Sequence, residues 1–218
     1  NSASVLVGDF IYSRSFQMMS KINNLEVMRI LADTTNSISE GEIYQLLNTN
    51  NAEVNEDDYF QVIDCKTAKL FEACGSLAGT LNNSGRESVS DLALLARNFG
   101  VIFQLTDDIL DYSGKEVEMG KNIGADLAEG KMTLPLIYAM KAADSSEQKI
   151  IKDAIKVGDI NHLPQIIDIL KKTNSIKKVS EKLNTFVDEI NLILDKFNSS
   201  ETRDELRELA SYIAQRKN

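Results

Sequence analysis

Helical periodicity is the feature of this chain that most limits its possible folds. Apolar residues recur every three or four positions along most of its length, and no run alternates between apolar and polar residues as a strand would. The chain has 218 residues, of which 43% are hydrophobic and only two are proline. A chain of this length buries a sizeable core. We therefore predict a single all-α domain of packed helices over residues 1–218, without an internal domain boundary.

The helix boundaries follow from local start and stop signals. Asn55 precedes three acidic residues and is a good N-cap, whereas NNSGRES after Leu81 ends a helix. Pro135 fits the first turn of a later helix. Residues 113–132 contain four glycines and are predicted to form a loop that becomes ordered on binding. The predicted helices are 3–21, 24–48, 55–81, 90–112, 135–143, 146–157, 163–172, 175–197 and 200–216.

Charge and composition exclude some classes of partner. The formal net charge is −9, and no basic stripe is present, so nucleic acid is not an expected partner. No apolar run approaches about 18 residues and no leader pattern opens the chain, so neither a transmembrane segment nor a signal peptide is expected. Cys65 and Cys74 are expected to be reduced, small core residues. These features together predict a cytoplasmic location.

The segment QLTDDILDY carries the most informative side chains. Asp107, Asp108 and Asp111 occupy positions i, i+1 and i+4 of a predicted helix, with Gln104 one turn earlier on the same side. Two carboxylates about 4 Å apart repel by roughly 4 kcal/mol at an effective dielectric constant of about 20, and a divalent cation reverses that effect. Oxygen ligands without His or Cys favour Mg²⁺, which keeps positions open for phosphate. A solvated acidic helix face is the alternative, but apolar residues flank the aspartates on both sides.

Lysines provide candidate partners for the same phosphate groups. Lys121 and Lys131 lie in GKNIGADLAEGKMTLP, and we expect them to close over an anionic ligand as mobile cations. An ordinary connection between helices is the alternative for this segment. Lys66 and Thr67, in CKTAKLFEACGSLAG, either place a cation and a hydroxyl against a phosphate or simply extend over an apolar helix face.

Other chemistries gain no support from the sequence. Glu42 and Gln45, in SEGEIYQL, are expected to be surface polar residues on their spacing alone. His162 is the only histidine, and we expect no metal or catalytic role for it. The chain therefore offers no arrangement for Ser–His or Cys–His nucleophilic catalysis. No GxxxxGK[ST] or GxGxxG motif is present, so a nucleotide-binding fold is not expected.

In this order and spacing, six segments of the chain resemble the trans-type polyprenyl diphosphate synthases, the polyprenyl synthetase family. The similarity of residues 120–139 points to the long-chain, octaprenyl-type branch, whose members make quinone side chains. The six segments are VLVGDFIYSRSF at 5–16, SEGEIYQL at 39–46, KTAKLFEACGSLAG at 66–79, FQLTDDILDY at 103–112, GKNIGADLAEGKMTLPLIYA at 120–139 and LRELASYIAQR at 206–216.

The resemblance implies an isoprenoid synthase-type bundle of antiparallel helices around a central cavity, usually in a homodimer. It also implies a prenyltransferase that condenses an allylic diphosphate with isopentenyl diphosphate to make a longer trans-polyprenyl diphosphate. The expected reaction begins with ionisation of the allylic diphosphate, assisted by Mg²⁺. More than one Mg²⁺ ion is expected to bridge the diphosphate.

The resemblance also implies roles for the aspartates and for the glutamine beside them. Asp107 resembles a direct Mg²⁺ ligand of the family's second aspartate-rich motif, and Asp108 and Asp111 support it as further metal-binding residues. Gln104 resembles the glutamine beside that metal, with a role in catalysis and in substrate binding.

The basic residues are assigned by the same resemblance. Lys66, Lys121 and Lys131 resemble the lysines that hold the allylic diphosphate, and Thr67 resembles a hydroxyl that polarises its neighbour. Of these, Lys66, Thr67 and Lys121 are predicted to be catalytic as well as substrate-binding, together with Asp107 and Gln104.

The family's first aspartate-rich motif and its isopentenyl diphosphate site would precede Asn1. If the protein begins at Asn1, we expect weak binding of diphosphate and no condensation, so the chain alone is expected to be inactive. Two other functions stay open. The chain could be a non-catalytic helical subunit or regulatory partner of such a synthase. It could also be a class I terpene cyclase, although the metal motif of that class usually includes Asn and Ser.

Overall fold

The fold, seen in a computed structural model that describes residues 2–113 and 123–216, is built from helices. No strand occurs within these ranges, so the all-α prediction is confirmed. A π-helical turn, Asp64–Ala68, follows α3, and a 3₁₀ turn, Ile160–His162, precedes α9. The helices are α1 (Ser2–Lys21), α2 (Leu25–Asn48), α3 (Glu56–Ile63), α4 (Lys69–Leu81), α5 (Arg86–Ser113), α6 (Ala125–Ala128), α7 (Leu134–Ala142), α8 (Ser145–Val157), α9 (Leu163–Lys172), α10 (Ser175–Leu194) and α11 (Glu201–Gln215).

Several helices begin at side chains that satisfy the free backbone N–H groups of the first turn. Asn55 and Asp58 form a reciprocal capping box at the start of α3. Asp144 and Glu147 form another at the start of α8. Ser200 accepts a hydrogen bond from the third residue of α11. The start predicted at Asn55 is therefore confirmed, and its cause is the cap that the sequence indicated.

The continuous helix predicted for residues 55–81 is wrong at its centre, where the π-helical turn inserts an extra residue. Glycines of two neighbouring helices lie against this turn. A Cβ atom on Gly41 of α2 would lie 2.6 Å from the backbone nitrogen of Lys66, and one on Gly100 of α5 would lie 2.7 Å from the Cα atom of Ala68. The turn is therefore packed between α2 and α5 at backbone contact distance.

The longest helix, α5, lies at the centre of the bundle and begins four residues earlier than predicted. It packs against α4, α10, α11 and the π-helical turn. Its buried side chains include Phe99, Ile102 and Leu105. Each fully buried side chain of this size contributes about 1.5–3 kcal/mol to folding. The same helix carries the aspartates in its last two turns, so the core holds their backbone rigidly.

The connection before α7 is partly helical rather than a continuous loop. Residues Ala125–Ala128 form the single turn of α6, between Gly124 and Gly130, which both have a positive φ angle. The loop prediction for residues 113–132 is therefore wrong for this part. Residues 114–122 lie outside the described part of the chain.

Two surface features complete the description. None of the residues of α1 is buried, and this helix exposes Val5, Leu6 and Phe10 by more than half. Both cysteines are free, but Cys74 is exposed, so its prediction as a core residue is wrong. Within the described ranges, no helix combines the length and the apolar character needed to cross a bilayer.

Candidate active site

A cavity of about 220 Å³ lies between α2, α3, the π-helical turn, α5 and the segment 126–133. Six of the eight predicted site residues line it, namely Lys66, Thr67, Gln104, Asp107, Asp108 and Lys131. The structure therefore brings together side chains from three separate segments of the sequence. The other lining residues are Gln45, Asn48, Val54, Tyr59, Val62, Ile63, Asp126, Met132 and Thr133.

Asp107 has a partly exposed carboxylate. Its side chain is 39% exposed, and the guanidinium of Arg216 lies 3.8 Å from its Oδ1 atom. Arg216 also lies over the ring of Phe103, 5.5 Å from the ring centre. A carboxylate that faces both the cavity and water can accept a hydrated cation without a large desolvation cost.

Asp108 is enclosed by protein. Its side chain is buried, the hydroxyl of Tyr59 donates a hydrogen bond to Oδ2 at 2.6 Å, and Nε2 of Gln104 donates one to Oδ1 at 2.8 Å. Burial, followed by the negative charge of Asp126, raises the pKa of Asp108 to about 8. Both oxygens of this carboxylate are thus held by neighbouring side chains.

Asp111 caps the helical turn of α6. Its two oxygens accept hydrogen bonds from the backbone N–H groups of Ala125, at 3.0 Å, and Asp126, at 3.1 Å. Burial and the charge of Asp126 raise the pKa of Asp111 to about 6. The three aspartates therefore differ in role, and no group of three or more His, Cys, Asp or Glu residues within the described ranges is arranged to hold a metal by itself.

Lys66 projects from the π-helical turn toward α2. Its Nζ atom donates a hydrogen bond to Oε1 of Gln45 at 2.5 Å and lies 3.0 Å from Oε2 of Glu42. The next residue, Thr67, donates from its hydroxyl to Oε1 of Gln104 at 3.3 Å. The expectation that Gln45 is a surface residue is wrong, since it lines the cavity, and the half-exposed Glu42 pairs with a site lysine.

Lys131 is placed by the end of α6. The backbone N–H of Lys131 donates to the carbonyl of Asp126, and the backbone N–H of Gly130 donates to the carbonyl of Leu127. With Gly130 in the left-handed conformation, these two bonds form a Schellman motif. The Lys131 ammonium lies 2.6 Å from Glu129 and 3.4 Å from Asp126. Burial opposes the charge of Lys131, but these two carboxylates outweigh it and raise its pKa.

Sequence reasoning did not identify Tyr59 and Asp126 as members of the site. Asp126 stands within the segment that carries the resemblance, and its burial raises the pKa of its carboxyl group. Tyr59 has no local signal, because its partner Asp108 is 49 residues away. The predicted role of Lys121 stays a prediction, since this residue lies outside the described ranges.

A family model described as "Polyprenyl synthetase" matches residues 1–171. The chain belongs to the polyprenyl synthetase family. This polyprenyl synthetase is 38% identical to the octaprenyl diphosphate synthase of Escherichia coli over 217 residues, which cover 99% of the chain and 67% of that enzyme. The chain thus spans about two thirds of the length of this curated relative.

Two solved structures are similar to this polyprenyl synthetase over its whole length. A decaprenyl diphosphate synthase from Rhodobacter capsulatus has a TM-score of 0.92 at 36% identity, and the chain covers 68% of it. A polyprenyl synthase from Caulobacter crescentus, complexed with calcium and isoprenyl diphosphate, has a TM-score of 0.92 at 30% identity and is covered over 67% of its length. The predicted isoprenoid synthase fold and the enzyme class, a polyprenyl diphosphate synthase, are therefore confirmed for this polyprenyl synthetase.

Proposed function

We propose that the protein condenses an allylic diphosphate with isopentenyl diphosphate and so lengthens a trans-polyprenyl chain. One observation carries the proposal beyond family membership. A single cavity contains the partly exposed carboxylate of Asp107, two lysines and apolar side chains. Such a lining suits a ligand with an anionic head and an apolar tail. The allylic substrate has this form.

Magnesium fits the donor set at Asp107. Mg²⁺ is usually held by one or two carboxylates, with the remaining positions taken by water and substrate phosphate oxygens. We therefore propose that Asp107 is the direct ligand, that the buried Asp108 and the partly buried Asp111 support it, and that more than one ion binds with the diphosphate. When bound, Mg²⁺ offsets negative charge on the diphosphate. The calcium in the Caulobacter crescentus structure supports a divalent cation in this family.

The chain's own residues have distinct tasks in the proposed reaction. Lys66 and Lys131 bind the diphosphate, joined by Lys121 if its predicted role holds, and stabilise the charge that builds on this leaving group. Lys66 is paired with Glu42 in the structure, so an arriving diphosphate competes with Glu42 for the ammonium group. Val62 and Ile63 line the apolar part of the cavity and shield the reacting carbon from water.

We propose further that the protein is a homodimer. Helix α1 exposes seven large apolar side chains by more than half, namely Val5, Leu6, Val7, Phe10, Ile11, Tyr12 and Met18. Exposed apolar surface of this kind is typical of protein–protein interfaces. The expected location in the cytoplasm and the inactivity of the chain alone stay predictions.

The test is chain extension by the intact protein, including any residues that precede Asn1, because the 218-residue chain by itself is expected to be inactive. The protein is incubated with Mg²⁺, farnesyl diphosphate and labelled isopentenyl diphosphate, and the labelled product is sized. We expect products longer than farnesyl diphosphate, and none when a chelator removes the metal. Absence of extension would rule out the proposal. A terpene cyclase would instead release diphosphate from farnesyl diphosphate alone, and a non-catalytic subunit would extend chains only after a partner subunit is added.

A further inference from the structure

We infer that Tyr59 is a positioning residue for prenyl transfer, which acts through Asp108 and Gln104 on the π-helical turn that carries Lys66 and Thr67. The inference rests on the proposed function. It assigns a task to a buried side chain of the cavity lining.

The hydrogen bond between Tyr59 and Asp108 joins two helices that are distant in sequence. Tyr59 lies on α3, is 5% exposed, and donates its hydroxyl hydrogen to Oδ2 of Asp108 at 2.6 Å. A hydrogen bond between two buried polar groups is costly to lose, because neither group can bond to bulk water instead. This contact therefore fixes the side-chain orientation of Asp108 on α5.

The fixed carboxylate orients the next side chain in turn. Gln104 donates from Nε2 to Oδ1 of Asp108 at 2.8 Å, and its Oε1 accepts from the hydroxyl of Thr67 at 3.3 Å. The amide of Gln104 can satisfy both partners in only one orientation, because its nitrogen donates and its oxygen accepts. The chain of hydrogen bonds thus runs from α3 through α5 to the π-helical turn. We name it the Tyr59 relay.

Removal of the Tyr59 hydroxyl interrupts the Tyr59 relay at its origin. Asp108 would keep the Gln104 amide as a donor but would lose the donor to Oδ2, next to the negative charges of Asp107 and Asp126. A buried carboxylate that lacks a donor reorients or admits water. The amide of Gln104 then loses its fixed partner, and its oxygen no longer holds the hydroxyl of Thr67 in one orientation.

The first test compares two tyrosine variants of the intact protein. Tyr59→Phe keeps the ring in the core and removes only the hydroxyl. We expect kcat for chain extension to fall roughly ten- to a hundredfold, which is the usual effect of losing a partner of a metal ligand, with a smaller change in the KM for the allylic diphosphate. The melting temperature should stay close to that of the wild type.

Tyr112→Phe is the matched control. Tyr112 is also a buried tyrosine, on the same helix as Asp108, but none of the described hydrogen bonds joins it to the Tyr59 relay. We expect its kcat to equal that of the wild type. A wild-type kcat in Tyr59→Phe would overturn the inference. Equal losses of kcat in the two variants, or a fall in melting temperature that accounts for the lost activity, would also overturn it.

A double-mutant cycle separates a positioning role from a general loss of packing. If Tyr59 acts through Asp108, adding Tyr59→Phe to Asp108→Asn should lower kcat by less than about twofold beyond the single change, because coupled residues are not additive. Effects that multiply fully would show that Tyr59 acts independently of Asp108, contrary to the inference.

A binding measurement distinguishes failure of this inference from failure of the proposed function. If the wild-type protein does not extend chains, calorimetric titration with inorganic diphosphate and Mg²⁺ compares the same two tyrosine variants. Weaker binding by Tyr59→Phe alone would support the Tyr59 relay as a device that positions the anion site. Equal affinities in the wild type and both variants would overturn it.

Discussion

Asp107 and Asp108 are adjacent on α5, yet their carboxylates have opposite surroundings. Asp107 is 39% exposed and faces the cavity, whereas Asp108 is 1% exposed and accepts hydrogen bonds from Tyr59 and Gln104. Successive residues of a helix point about 100° apart, so one of them turns toward the core. The two residues should therefore respond differently to substitution, Asp107 in activity alone and Asp108 in both activity and the pH dependence of stability.

Asp107→Ala removes the partly exposed carboxylate. We expect turnover in chain extension to fall by at least about a hundredfold, since charge stabilisation at a reacting group contributes this much or more. The melting temperature should change little, because the side chain is partly exposed. Asp168→Ala, at an exposed acid of α9, is the matched control and should change neither quantity. Parallel losses of stability and turnover in Asp107→Ala would mean that the carboxylate is structural.

Asp108→Asn should alter how stability depends on pH. Burial raises the pKa of Asp108 from 3.8 to about 8, so the folded protein keeps a proton that the unfolded chain loses above about pH 4. The stabilisation from this proton is complete below pH 4 and is lost as the pH rises through about 8. Asparagine has no such titration, although the raised pKa of Asp111 remains in both proteins.

The measurement is the melting temperature of both proteins at pH 5 and pH 9 without Mg²⁺. Relative to the wild type, the stability of Asp108→Asn should be higher at pH 9 than at pH 5 by at least about 1 kcal/mol, which corresponds to about 2–4 °C in melting temperature for a chain of this size. A difference between the two proteins that is the same at both pH values would contradict the raised pKa.

The π-helical turn Asp64–Ala68 is the element on which the proposed anion site depends. It presents Lys66 and Thr67 to the cavity, and Gly41 of α2 and Gly100 of α5 lie against its backbone. Without the extra residue of the π-helical turn, every later residue would shift by one position along the helix, and its side chain would point in a different direction. Gly41 and Gly100 are therefore needed so that α2 and α5 can approach the backbone of the turn closely, and not for an unusual backbone conformation.

Gly41→Ala tests that packing. The added Cβ atom would lie 2.6 Å from the backbone nitrogen of Lys66, so the π-helical turn or α2 must move. We expect a loss of about 1–3 kcal/mol in the free energy of unfolding, as for other overpacked sites. Displacement of Lys66 should also raise the KM for the allylic diphosphate.

Gly8→Ala is the control for helix propensity. A Cβ atom on Gly8 of α1 meets nothing within 4 Å of its own chain. Because α1 is also the proposed dimer interface, stability is compared in the Phe10→Asp background, which is expected to be monomeric, and there Gly8→Ala should leave stability unchanged or raise it by up to about 1 kcal/mol. If Gly41→Ala behaves like Gly8→Ala in denaturant unfolding and in steady-state kinetics, the close approach of α2 to the turn is not needed.

At the scale of the whole molecule, exposed apolar surface is found on the first helix, α1. Phe10 is 69% exposed and Leu6 is 67% exposed, and none of the residues of α1 is buried. Such a surface favours association, because burial of each large apolar side chain away from water lowers the free energy by about 1.5–3 kcal/mol. The proposed homodimer supplies a second copy of the same surface.

Phe10→Asp should shift the protein from the mass of a dimer to that of a monomer in size-exclusion chromatography with light scattering. A charge that is buried in an apolar interface without a partner is costly, so one substitution is enough. Leu192→Asp, at a residue of α10 that is 68% exposed, is the control and should keep the wild-type mass. A dimer that persists in Phe10→Asp would place the interface elsewhere.

Much of the site was predictable from the sequence, because the predicted residues lie in segments with strong local patterns. Asp107 was indicated by the spacing of the aspartates and Lys66 by the family resemblance, and both line the cavity. Gln45 was misassigned to the surface, since its partner Lys66 is 21 residues away and helix spacing shows only which residues share a face. Tyr59 was missed for the same reason.

The sequence by itself determined the all-α class, the caps that start the helices and the residue types of the proposed anion site, because these depend on contacts within a few turns of helix. Only the tertiary structure decided that Asp108 faces Tyr59 while Asp107 faces the cavity, and that a π-helical turn interrupts the third predicted helix. Those outcomes depend on the packing of α2, α3 and α5 against one another. Packing over long separations leaves no periodic trace in a single sequence.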